Sequence, residues 1–124
     1  MLSPKTTCTL IRTLYAVCMA GAAFNHARIV LAHGLAWNYG GVHPLLAGFW
    51  TALTFIDPLV VLLLVVRPRA GLALTAAVIV VDVVVNASAG LAYGMDWAAF
   101  GAQALFLVIV LATLRPAWRN CKQV

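Results

Sequence analysis

Four apolar runs, each about as long as a bilayer is thick, limit what this chain can fold into. They cover residues 11–37, 45–66, 72–92 and 97–114. A spanning helix needs about 20 mostly apolar residues. In hydrocarbon, every backbone N–H and C=O must bond within its own helix or within a closed barrel. The runs are too long for strands of a small sheet, and they lack the polar–apolar alternation of a membrane barrel. The valines of VIVVDVVVNASAG (78–90) favour strands in water. Here they read as helix. Composition agrees, with 65% of residues hydrophobic and 9% charged, against about a quarter charged in soluble domains. The expected fold is all-α: an integral membrane four-helix bundle, up-down-up-down, forming one membrane domain over 1–124 with a tail at 115–124.

Basic residues set the direction. Lys5 and Arg12 flank the first span, Arg67 and Arg69 fill the RPRAG turn, and Arg115, Arg119 and Lys122 follow the fourth span. The connections WNYGGVHP and YGMDW hold no Lys or Arg. The positive-inside rule then puts both termini and the RPRAG turn in the cytoplasm. Trp37, Trp97 and Trp118 fall at expected interfaces, where an indole is both apolar and a donor. The net charge of +5 does not point to nucleic acid, because there is no basic stripe interleaved with aromatics. The start of the chain has the look of a secretory signal, LYAVCMAGAA after Lys5 and Arg12. Apolar residues resume in IVLAHGLAW, which argues for a retained span. No pair of cysteines has C-x-x-C spacing. Cys8 and Cys121 fall on the side assigned to the cytoplasm, where thiols stay reduced. Cys18 reads as a small packing residue.

Polar residues inside the spans carry the functional signal. A carboxylate at mid-bilayer costs roughly 2.5–3.5 kcal/mol. The Val and Ile residues around Asp82 each return about 0.3–0.6 kcal/mol, so the third span tolerates the charge. Thr75, Asp82, Asn86, Ala89 and Tyr93 share one helical stripe. In the second span, Trp50, Thr54 and Asp57 lie on one face, and Asp57 precedes Pro58, which removes a helical hydrogen bond and favours a kink. The first span supplies Asn25, His26 and Arg28, and the fourth supplies Gln103. Every span thus adds a polar side chain to one layer in the middle-to-outer half of the membrane. Charge balance suggests that Arg28 pairs with Asp57 or Asp82. Helical geometry separates Arg28 from the face shared by His26 and His33.

Each feature also has a structural reading. Asp82 and Asn86 serve equally as interhelical hydrogen-bonding groups, Asp57-Pro58 as a kink, Arg28 as a counter-ion or a side chain snorkelling to the interface, and the histidines as interfacial donors. A metal site needs three or four converging ligands. His26, His33, His43 and an aspartate supply them only if the outer loop folds inward, so no metal or other cofactor is assigned. No catalytic motif is present.

The block FWTALTFIDPLVVLLLVVRPRAG, followed by IVVDVVVN, resembles a group of small bacterial four-helix membrane proteins without an established activity. In that group an aromatic-Trp-Thr-x-Leu-Thr-Phe segment leads into Asp-Pro-Leu, an Arg-Pro-Arg-x-Gly turn and an Asp-x-x-x-Asn pair. The resemblance covers Phe49 to Asn86 and implies the fold and the membrane, but no chemistry; the expected location is a bacterial inner membrane. The leading expectation is a protein that binds or transports a small polar or cationic ligand. Its site would comprise Asp57, Asp82, Asn86, Arg28, Asn25, His26, Trp50, Thr54 and Gln103. The alternative is a non-catalytic subunit whose polar layer meets a partner subunit or a second copy. A lipid- or quinone-directed enzyme is third.

Overall fold

The computed structural model describes residues 1–122. It is all-α, with α1 (Pro4–His33), α2 (Pro44–Val66), α3 (Pro68–Tyr93) and α4 (Trp97–Asn120). All four are long and apolar enough to cross a membrane, which fits a multi-pass membrane protein. Local chemistry sets their ends. Pro4, Pro44 and Pro68 each open a helix, where a missing N–H costs nothing. Gly34 and Gly94 close α1 and α3 in the left-handed half of backbone space. Asp96 caps α4, its Oδ1 accepting from Ala99 N at 3.1 Å.

These bounds differ from the sequence reading in three places. The 30 residues of α1, about 45 Å at 1.5 Å per residue, begin before residue 11 and stop short of Trp37. The RPRAG turn shrinks to Arg67 alone, because Pro68 already starts α3. The tail is helical as far as Asn120, and its last two positions, 123–124, lie outside the described residues.

The helices form a ring in chain order. Neighbours α1–α2, α2–α3, α3–α4 and α4–α1 pack together; α1 and α3 meet lightly across the ring, and no Cα atoms of α2 and α4 come within 8 Å of each other among the described residues. The buried centre includes Tyr15, Met19, Leu53, Val60, Leu64, Leu72, Ile79 and Val110. Outward faces are apolar too: Leu31, Phe55, Leu91 and Leu111 are all exposed. In water such faces would be aggregation surfaces; in lipid they are ordinary.

One end of the ring is tied tightly. Cys8 and Cys121 form a disulfide with Cα atoms 5.1 Å apart, joining α1 to the end of α4. This corrects the expectation of two reduced thiols, which rested on the assigned compartment and could not foresee that the sulfurs meet. Arg69 Nε donates to the Cys121 carbonyl at 2.6 Å, and its guanidinium lies 5.2 Å from the Trp118 ring centre. Higher in the same seam, the Tyr15 hydroxyl sits 2.7 Å from Thr113 Oγ1, and Tyr15 stacks edge-on against Phe106 at 5.8 Å. Gly71 allows α2 and α3 to touch, since a Cβ there would collide with the backbone of Leu63 and Leu64.

Candidate functional site

Toward the other end, a cavity of about 600 Å³ opens among α1, α3 and α4. That is within the range of small-molecule sites. Of the residues singled out in the sequence, Asn25, His26, Trp50, Asn86 and Gln103 line it. A hydrogen-bonded chain crosses its wall. Trp50 Nε1 donates to Asn86 Oδ1 at 2.8 Å, and Asn86 Nδ2 donates to Gln103 Oε1 at 2.8 Å. Three helices are joined this way, and the orientation of the Asn86 amide follows from having a donor on one side and an acceptor on the other.

The two intramembrane acids lie beneath this wall rather than on it. Asp57 is 0% exposed and Asp82 is 7% exposed. Asp82 is one helical turn below Asn86 on α3 and within charge–charge range of Asp57. Both Asp57 oxygens, Asp82 Oδ1, Thr54 Oγ1 and His26 Nδ1 are buried without a hydrogen-bond partner among the described residues. Such groups are costly unless something satisfies them. His26 connects the two layers: it lines the cavity, and its Nε2 lies 3.8 Å from Asp57 Oδ2.

Arg28 is not part of this site. It sits on the exposed face of α1, and its Nη2 donates to Asn25 Oδ1 at 3.0 Å. The expected pairing of Arg28 with an aspartate is therefore corrected: the one basic side chain beside an acid, among the described residues, is His26. The helical period is the cause, because Arg28 is two positions on from His26 and faces elsewhere. Thr54 is near the acids but outside the lining.

The connections contribute more than the sequence suggested. Trp37 stacks on His33 with ring centres 3.6 Å apart, Tyr39 packs on Trp37 at 4.6 Å, and Tyr39 reaches Trp50 at 5.0 Å. Trp37, expected at the membrane interface, is also a member of an aromatic stack. Tyr39 adopts a left-handed backbone (φ 53°), followed by Gly40 and Gly41 at positive φ; this turn folds its ring inward over the cavity. The Tyr93 hydroxyl accepts from His43 N at 3.0 Å and ties the 34–43 connection to the end of α3. Met95 lies against Gly90, where a Cβ would collide with its side chain. Tyr39, Met95, Asp96 and Phe100 line the cavity without having been singled out. Three of them lie in or beside loops, where no helical period marks a facing direction. Around the inward-folded loop, no group of three or more His, Cys, Asp or Glu side chains converges among the described residues.

No protein family, curated protein or solved structure matches the chain.

Proposed function

We propose that this chain binds, and in a transport cycle moves, a small polar or cationic ligand within the membrane. The observation that carries the proposal is the cavity whose wall is the Trp50–Asn86–Gln103 chain and below which both Asp57 oxygens and Asp82 Oδ1 are buried without a hydrogen bond among the described residues. Apolar spans hold such groups where they face an interior or a pathway. His26 is the contact between the cavity and Asp57. A ligand at His26 can therefore feel the acids without touching them, since charge interactions weaken slowly in a low dielectric.

The test is native mass spectrometry of protein extracted gently from its own membrane. The expected result is a retained small mass that disappears in Ala102→Phe, which fills the cavity. A spectrum of empty wild-type protein, unchanged by that substitution, would overturn the reading.

The basic flanks support an up-down-up-down chain in a bacterial inner membrane, with both termini in the cytoplasm. The Cys8–Cys121 bond counts against that side, since disulfides persist in oxidising compartments. A cysteine introduced at Gly40 settles the matter. Labelling of intact cells by an impermeant maleimide supports cytoplasmic termini; labelling only after lysis reverses them.

A second reading is favoured by Arg28 and Asn25, which pair on the exposed face of α1. A charged arginine on an outward face fits a meeting point with a partner helix or a second copy. It predicts a dimer or an additional chain in the same spectrum, lost in Arg28→Leu.

A further inference from the structure

We infer that the ligand is an organic cation: an apolar body bearing one positive charge. This rests on the proposed ligand-binding role and names its class.

Charge placement is the first argument. The chain has three acidic residues. Asp96 lines the cavity, and Asp57 and Asp82 lie below His26 and Asn86. None of the Lys and Arg side chains lines it. Arg28 is turned out on α1, and the others occupy the chain ends and the Arg67–Arg69 segment. An anion here would meet carboxylates, with its nearest fixed positive charge on Arg28, turned out on α1 behind the lining Asn25, whereas a cation would meet the carboxylate side of the site directly.

The lining is the second argument. Tyr39, Trp50, Tyr93, Phe100 and Phe106 surround the space. Aromatic faces attract a cation through their quadrupole and at the same time shelter an apolar body. A hydrated inorganic ion has little use for such walls, and no group of three or more His, Cys, Asp or Glu side chains converges among the described residues to replace its water.

The third is the chemistry left unused at the rim. Asp96 Oδ1 is occupied in capping α4. Asp96 is exposed, so its second carboxylate oxygen is open at the cavity mouth, and the group stands beside the aromatic walls.

Three probes of one shape isolate the charge. Phenyltrimethylammonium is the cation, tert-butylbenzene is its neutral isostere, and benzenesulfonate is an anion of similar size. Binding to the purified full chain in nanodiscs is followed by calorimetry. The cation is expected to bind at least tenfold more tightly than the neutral probe, and the anion not at all. Asp96→Asn keeps the helix cap, since Asn caps as well as Asp. It is expected to narrow the cation's advantage severalfold and leave the neutral probe unchanged. Equal binding of cation and neutral isostere, or tighter binding of the anion, overturns the assignment of class while leaving the cavity as a ligand site. Binding of none of the three overturns both.

Discussion

His26 Nε2 lies 3.8 Å from Asp57 Oδ2, and this is the one contact between an acid and a basic side chain in the membrane interior of the described residues. Asp57 is wholly buried, with neither oxygen hydrogen-bonded. A double-mutant cycle with His26→Leu and Asp57→Leu should therefore show coupling, in the range of about 0.5–3 kcal/mol found for contacting residues. The long separation favours the lower half. Removing His26 alone should cost more than removing both, because it leaves a buried acid with less compensation. Reversible unfolding in mixed micelles measures each corner. Strict additivity would mean that the two side chains do not interact.

The Trp50–Asn86–Gln103 chain gives a second prediction. In water-soluble proteins, stranding a buried polar group costs about 1–3 kcal/mol. In membranes the measured average is about 0.6 kcal/mol, with a maximum of about 1.7 kcal/mol, because the unfolded helix also finds partners. The membrane figure governs here. Trp50→Phe should destabilise the bundle by about that amount, and Asn86→Leu, which severs both bonds, by no more than about twice as much. A loss of several kcal/mol in either variant would show that the chain is more than a wall.

Gly71→Ala should be the most damaging single-methyl change in the chain. Its Cβ would meet the backbone of Leu63 and Leu64 rather than the end of a flexible side chain, so α2 and α3 must part. Overpacking of this kind costs typically 1–3 kcal/mol. Gly48→Ala and Gly101→Ala add a methyl where nothing lies within 4 Å, and should be neutral or slightly stabilising. The three thermal unfolding curves, recorded side by side, check the contrast.

Reduction gives the fourth. In the oxidised protein only Cys18 should take a maleimide under denaturing conditions, because Cys8 and Cys121 are joined. A bridge spanning 113 residues would be worth about 4.7 kcal/mol on the chain-entropy scale. That scale assumes an unfolded coil. In a bilayer the separated helices keep their structure, so Cys8→Ser should cost less than this figure. Unfolding with and without reductant measures the difference, and a wild-type curve indifferent to reductant would show that the bond adds no stability.

The spans were legible because they depend on length and polarity alone. Their ends were less so. Thr6, Thr7 and Cys8 dilute the start of α1, and Gly34 ends it before the apolar count does. Asn25, His26, Trp50, Asn86 and Gln103 stood out as polar residues in apolar runs, and they line the cavity. Asp57 and Asp82 stood out for the same reason but lie beneath it, since depth along a helix does not distinguish a wall from a floor. Tyr39 depends on three successive positive φ angles. Cys8 and Cys121 depend on a ring closing across the whole chain. No local period encodes either.

The disulfide also changes what kind of object the bundle is. With residues 8 and 121 bonded, the covalent path from α1 through α4 is a hoop rather than a string. The first and last helices pivot about a fixed joint, like the arms of tongs. They cannot part at the Cys8 end without breaking that bond, and the Tyr15–Thr113 contact braces them just above it. Widening of the α1–α4 seam is therefore concentrated at the far end. There the cavity sits and the aromatic stack of Trp37 and Tyr39 hangs over it. A guest reaching the cavity through this seam would spread the arms at their tips, while the joint holds the bundle together.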